Sequence, residues 1–414
     1  MEEKRERALL AGVHTGRRDA VNDTTEESMA ELCELAKTAG AEVIAEVIQN
    51  KSDIEAATYM GEGKLQEIKE AVENMKIDTV IFDDELSPVQ IRNLTEYLNV
   101  KVIDRTILIL DIFAKRAKSG EGKLQVELAQ QKYLLPRLRG MGIMMSRTGG
   151  GIGTRGPGET KLESDRRHIS RRIASLEADI REIKKHRQLL RSRRKKDGVI
   201  TACLVGYTNA GKSTLMNLLS ESDVLAEDKL FATLDTTSRA ITLRDNRKIL
   251  LTDTVGFIRK LPHHLVQAFK ATLEETAEAD MLIYVIDASN PQFETHIEVV
   301  DAVLAELGAA GKPTVYVYNK IDLCDNGFEG DRENSIGISA KTGENVEALI
   351  DLISETAPNK KQEMTVMIPF NEGALVNELH KNQKILTEEY LAEGVKITLL
   401  ADKITYGRLK SYII

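Results

Sequence analysis

Lys212 and Ser213 close the string Gly206-Tyr207-Thr208-Asn209-Ala210-Gly211-Lys212-Ser213, which follows the apolar run CLV and opens the helical pattern STLMNLLS. The spacing is that of a phosphate loop. Its glycines let backbone N–H groups wrap a β-phosphate, and the helix start adds partial positive charge. Lys212 would neutralise the β- and γ-phosphates, and the Ser213 hydroxyl would ligate Mg2+. Forty residues on, Asp253-Thr254-Val255-Gly256 ends the apolar run ILLTD. A carboxylate there can hold Mg2+ through water, and the Gly256 N–H can sense a γ-phosphate.

The base has its own signature. Asn319-Lys320-Ile321-Asp322 ends the run TVYVYN. The Asp322 carboxylate can accept from guanine N1–H and N2–H2, a pair that adenine does not offer, so the contact selects GTP over ATP. Asn319 braces the loop and reaches the base edge, and the Lys320 stem covers the ring. Ser339-Ala340-Lys341, after another strand pattern, supplies a backbone N–H to guanine O6. Four motifs in this order, each at a strand end, read as a magnesium-dependent site that binds GTP and GDP and hydrolyses GTP. Between them, FATLDTTSR (231–239) offers Thr233, Thr236 and Thr237, any one of which can bring a hydroxyl to Mg2+.

Two residues bear on rate. Phe257 stands directly after DTVG, where a Gln can orient the attacking water. An aromatic ring cannot do so, and packing into the core is its ordinary role. Slow hydrolysis is expected, with stimulation by a partner that orders the switches. Asn209 resembles the asparagine of cation-activated GTPases, a resemblance that implies K+ bridging the phosphates, although Asn is also a common loop residue. The expected catalytic set is Lys212, Gly256 and Asn209 together with one of those three threonines. His263 and His264 read as solvent-facing loop residues.

These residues need strands and helices to position them. The 414 residues contain 42% hydrophobic residues, enough for two to four packed domains. Residues 1–120 alternate strand patterns at 8–13, 41–48, 78–83 and 100–104 with amphipathic stretches at 25–38, 63–75 and 87–98, the rhythm of a parallel α/β domain. Residues 121–197 read as a helical hairpin arm. The first helix covers 124–138, with Pro136 expected to kink or end it. The second covers 162–196, with Ile169, Ile173, Leu176, Ile180, Ile183 and Leu190 in a heptad seam that is broken by Arg187. Residues 198–358 restore the βαβ rhythm of a doubly wound, phosphate-loop GTPase domain. Residues 362–414 read strand, helix, two strands, helix, a small α+β domain.

Charge is unevenly spread. From Lys132 to Asp197 there are 19 Lys/Arg and 7 Asp/Glu, a net of +12, within a chain of net −8. A basic segment in an acidic chain points to a polyanion. Cys33, Cys203 and Cys324 are far apart and suggest neither disulfides nor a metal site. No apolar run approaches the roughly eighteen residues of a membrane span, and the N-terminus lacks a secretory pattern. A cytoplasmic monomer is expected, free or peripheral to a membrane.

Taken together, GYTNAGKST, FATLDTTSR, DTVGFI, NKID, SAK and the string RTGGGIGTRGPGETKLE after an α/β domain resemble the HflX family, ribosome-associated GTPases of the translation-factor class. The resemblance covers about residues 5–357. It places the magnesium threonine at Thr233, within the nucleotide-contacting run Phe231-Ala232-Thr233-Leu234-Asp235. It also implies binding to the large ribosomal subunit and, for some members, splitting of stalled or idle ribosomes. Two other readings remain beside it. A signalling switch with a protein effector is disfavoured by the basic arm, because rRNA phosphates reward clustered cations. An RNA-modification GTPase is disfavoured by the lack of a catalytic set in residues 1–120.

Within 147–161, the stretch GTRGPGET nearly repeats the phosphate-loop pattern, but Glu159 replaces its Lys. An anion against a polyphosphate has the wrong sign. The stretch reads instead as a small-residue tip carrying Arg147, Arg155 and Lys161 towards rRNA.

Overall fold

In the computed structural model the described residues are 5–16, 25–146, 157–196, 199–220, 230–231, 233–234, 236–245, 247–260, 273–324, 330, 332–358, 362–401 and 403–414. The first unit runs β1 (Arg7–His14), α1 (Thr25–Ala39), β2 (Glu42–Asn50), α2 (Glu62–Met75), β3 (Thr79–Phe82), α3 (Pro88–Leu98), β4 (Lys101–Asp104) and α4 (Arg105–Arg116). Its sheet is parallel, in the order β2-β1-β3-β4. Period-2 geometry sorts the strand residues between two apolar cores. Ala8, Leu10, Ile81 and Ile103 face α1 and α4, whereas Leu9, Ala11, Val13, Val80 and Phe82 face α2 and α3.

Local chemistry sets the helix starts. Ser87 and Gln90 form a reciprocal capping box with Pro88 in the first turn, worth about 1 kcal/mol. Asp104 ends β4 and caps α4 by accepting the Ile107 N–H at 2.9 Å, and it also accepts the Tyr133 hydroxyl at 2.7 Å. The strand–helix rhythm of the sequence does not single out α4. Its ILIL run is four consecutive apolar residues, which periodicity alone cannot assign to a strand or a helix.

Helices α5 (Gly120–Ser146) and α6 (Pro157–Lys196) pack together. Lys132 pairs with Glu177, and Arg172 pairs with Glu127. Of the kink or end expected at Pro136, the end does not occur, because α5 runs through it. Arg137, next to the gap in the helical ladder, donates from Nη1 to the Tyr133 carbonyl at 2.9 Å and stacks 3.2 Å over the Tyr133 ring. At Arg187, where the heptad expects an apolar side chain, the guanidinium sits between Glu121 (2.9 Å) and Glu275 (3.7 Å).

The third unit comprises β5 (Ile200–Val205), α7 (Lys212–Ser220), β6 (Thr237–Thr242), β7 (Lys248–Asp253), β8 (Met281–Asp287), α8 (Phe293–Glu306), β9 (Thr314–Asn319), β10 (Ser335–Gly337) and α9 (Val346–Thr356). The sheet order is β10-β9-β8-β5-β7-β6, parallel except for edge strand β6. One apolar cluster continues from Leu10 and Phe113 in the first unit to Phe231, Val205 and Tyr284 in the third, so the two units share a core. The last unit is β11 (Gln362–Ile368), α10 (Gly373–Asn382), β12 (Lys384–Leu391), β13 (Gly394–Ala401) and α11 (Lys403–Leu409), with its antiparallel sheet in the order β11-β13-β12. It follows the strand, helix, two-strand, helix order read from the sequence.

Candidate nucleotide site

The loop 206–213 joins β5 to α7 at the carboxyl ends of the parallel strands, where doubly wound sheets bind ligands. Gly206 has φ +148°, and a Cβ there would lie 2.1 Å from the Val285 carbonyl oxygen; Gly211 has φ +93°, and its Cβ would lie 2.1 Å from Asn319 Nδ2. Only glycine fits either place. Lys212 is buried, and its Nζ donates to the carbonyls of Gly206 (3.0 Å) and Tyr207 (2.7 Å). Burial pushes its pKa down to about 8, partly opposed by the Asp253 carboxylate. A bound polyphosphate would restore the charge.

Three oxygens from separate segments converge beside it. Ser213 Oγ lies 2.6 Å from Thr233 Oγ1 and donates to Asp253 Oδ2 at 2.7 Å. Of the three threonines in 231–239, Thr233 is thus the one that reaches Ser213, whereas Thr237 begins β6. Asp253 is 2% exposed, and its Oδ1 has no hydrogen-bond partner among the described residues. Burial raises its pKa. A buried carboxylate oxygen without a donor, beside two hydroxyls, fits a hard divalent cation such as Mg2+. The Thr208 hydroxyl is likewise buried without a partner.

The switch segment that follows lies tightly on the loop. A Cβ at Gly256 would meet Thr208 Cα at 2.8 Å and Lys212 Nζ at 2.9 Å. Thr208 N–H donates to the Phe257 carbonyl (2.8 Å), and Phe257 N–H donates to the Gly206 carbonyl (3.2 Å). The Phe257 ring is buried in the core.

On the base side, Asn319 ties two motifs together. Its Nδ2 donates to the Ala210 carbonyl at 2.8 Å, and its Oδ1 accepts the Ala340 N–H at 2.9 Å. Lys320 pairs with Asp287 at 2.7 Å. Asp322, Lys341 and Asn209 are exposed, and Asn209 has φ +61°. Ser339 is buried and accepts the Thr342 N–H on Oγ, and the Ile321 N–H donates to the Ile338 carbonyl. The side chains of Tyr207, Phe231, Leu234, Thr254 and Val255 are buried. Ala232, Asp235, Arg147, Arg155, His263 and His264 lie outside the described residues, as does the side chain of Lys161.

Sequence reasoning missed the surround supplied by the first unit. Arg259 pairs with Glu27 at 3.0 Å, and Lys260 pairs with Asp83 and, at 2.8 Å, with Asp84. Arg105, 2% exposed, pairs with both Asp83 (2.8 Å) and Glu31 (2.7 Å). The one available signal was the cation pair Arg259-Lys260 directly after DTVGFI. At the arm's base, Lys184 pairs with Glu274 at 2.6 Å and Arg191 pairs with Glu275, in the helical segment 273–278 beyond the switch.

Known families and proteins resemble the chain over most of its length. Residues 26–114 match the family described as "GTP-binding GTPase N-terminal", 116–194 match "GTP-binding GTPase Middle Region", and 201–320 match "50S ribosome-binding GTPase". The chain is 49% identical to a GTPase HflX of Caldanaerobacter subterraneus over 99% of this chain and 94% of that one. It is 43% identical to GTPase HflX of Escherichia coli, covering 91% and 90%. A GTP-binding protein from Sulfolobus solfataricus, solved in complex with GDP, is 29% identical, with 85% of this chain and 98% of that one covered and a TM-score of 0.44. Among the described residues, no helix is long and apolar enough to cross a membrane.

Proposed function

The chain belongs to the GTPase HflX family and hydrolyses GTP, and from that premise we propose that it is a ribosome factor. It binds the large subunit through its N-terminal unit and basic arm, and it splits or recycles stalled or idle 70S ribosomes. The observation that carries this reading is the salt-bridged seat of α6 on Glu274 and Glu275, in the helical segment that follows the switch in sequence. A cationic rod suited to rRNA is thereby joined by ion pairs to the helical segment that continues from the switch.

In this reading the residues divide the work. Backbone N–H groups of 206–213 and Lys212 hold the phosphates. Ser213, Thr233 and Asp253, the last through water, would hold Mg2+, which would supply charge neutralisation to the phosphates. Gly256 N–H meets the γ-phosphate. Asp322 and Asn319 read guanine, with the Lys320 stem over the ring. Asn209 would hold K+ beside the phosphates, and a rate unchanged on replacing K+ by Na+ rejects that assignment. With Phe257 buried, no side chain at that position orients water. Turnover is therefore slow alone, and the ribosome stimulates it by ordering the switches.

Sedimentation with large subunits, with GTP or GDP and with 147–161 deleted, tests the proposal. GTP-favoured co-sedimentation that weakens on deletion is expected. Failure to sediment with ribosomes in either nucleotide state overturns it.

A further inference from the structure

Tyr207 is the second residue of the phosphate loop, yet its side chain turns away from it. The ring stacks flat on His296, with centroids 3.8 Å apart and planes 6° apart. The hydroxyl donates to Glu31 Oε1 of α1 at 2.6 Å and accepts the backbone N–H of Arg259 at 2.8 Å. Burial and the neighbouring carboxylate raise the phenol's pKa, so it keeps the proton it donates. From Glu31 the polar chain continues to Arg105, from Arg105 to Asp83, and from Asp83 to Lys260. Lys260 follows Arg259, so the ring closes on the switch.

Three consecutive loop residues therefore hold the switch. The Gly206 carbonyl and the Thr208 N–H fix Phe257, and the Tyr207 hydroxyl fixes Arg259. Gly256, just before them, fits between Thr208 and Lys212 with no room for a methyl group. The Ser213, Thr233 and Asp253 oxygens are already gathered, so this is an ordered arrangement of the site. We infer that Tyr207 is a positioning residue for GTP hydrolysis, its hydroxyl anchoring the switch backbone at Arg259 to Glu31 of the N-terminal unit. The Arg259 N–H is buried. Without the hydroxyl it loses its acceptor, a loss that favours displacement of the switch. The cost falls on turnover, where placement within about an ångström matters, and not on nucleotide capture.

Y207F keeps the ring and its stack while deleting the hydroxyl. In the full-length protein, kcat for GTP is expected to fall roughly tenfold, with KM for GTP and the Kd for GDP within about twofold. E31Q, which keeps an acceptor but removes the charge, should lower kcat by roughly threefold, and Y207F/E31Q should be no slower than Y207F alone. Wild-type turnover by folded Y207F overturns the inference, as does a loss carried by nucleotide affinity or an additive double variant. Should Y207F not fold, E31Q decides alone, and wild-type kcat in that variant overturns it.

Discussion

Phe113 of α4 meets Phe231 edge to face, with ring centroids 4.7 Å apart and planes at 80°. Both rings are buried. Phe231 lies two residues before Thr233, so a helix of the N-terminal unit holds the segment that brings Thr233 to Ser213. Phe113→Ala is expected to destabilise the protein by about 3–5 kcal/mol and to raise the Mg2+ concentration needed for half-maximal hydrolysis several-fold. Denaturant unfolding and a Mg2+ titration measure the two effects. An unchanged Mg2+ requirement would mean that Thr233 holds its place without the ring.

Lys212 titrates near 8 in the nucleotide-free fold because it is buried. A polyphosphate favours the charged form and raises that pKa. Below about pH 7 the lysine is already almost fully charged and binding takes up little or no proton there. Above pH 8, binding draws in a proton, so nucleotide affinity falls as pH rises. Calorimetry at pH 8.5–9 in buffers of different ionisation heat should show uptake that Lys212→Met lacks.

His296 has its pKa lowered to about 4, first by burial and then by Arg259. The unfolded histidine titrates near 6.5. Between these values the unfolded chain binds the extra proton, so this residue's contribution is full above about pH 6.5 and is lost as pH falls towards 4. From pH 7 to pH 5 the loss is about 2 kcal/mol. Raised carboxyl pKa values at Glu31 and Asp253 act in the opposite sense. The comparison is therefore with His296→Phe, which keeps the stack and whose unfolding energy should change less between those pH values.

Gly211→Ala places a methyl group 2.1 Å from Asn319 Nδ2 at a left-handed backbone position. Asn319 must give way, breaking the link from Ala210 to Ala340. Guanine nucleotide affinity should drop by two orders of magnitude or more, roughly 3 kcal/mol. Fluorescent GDP titration reads the loss, and near-normal binding would show that the clasp is dispensable.

The nucleotide motifs were legible because each is local: strand, loop and helix are consecutive, and spacing alone sets their chemistry. The heptad in α6 was legible for the same reason, down to the misfit at Arg187. What that misfit was for lay elsewhere, at Glu121 and Glu275. The acids that hold Arg259 and Lys260 sit more than 170 residues away in sequence, and nothing in their own neighbourhoods marks Glu27, Glu31 or Asp83. The place of Tyr207 in the loop points to the nucleotide, but that is a backbone property and does not say where a side chain points. Local sterics at Pro136 predict a kink or an end, but the helix persists with Arg137 and Tyr133 beside the gap.

The 40 residues of α6 behave mechanically as a lever. Its seat spans Lys184 to Arg191, about 10 Å, and its length back to Pro157, with α5 paired to it at Arg172 and Glu177, is about 40 Å at 1.5 Å per residue. A turn of about five degrees at the seat sweeps the far end through roughly 3–4 Å over that length. Run backwards, a push at the far end reaches Glu274 and Glu275 with a mechanical advantage of about four, from the ratio of those lengths. Because α5 ties the arm to the N-terminal unit as well, a load on the arm is shared between that unit and the segment that follows the switch.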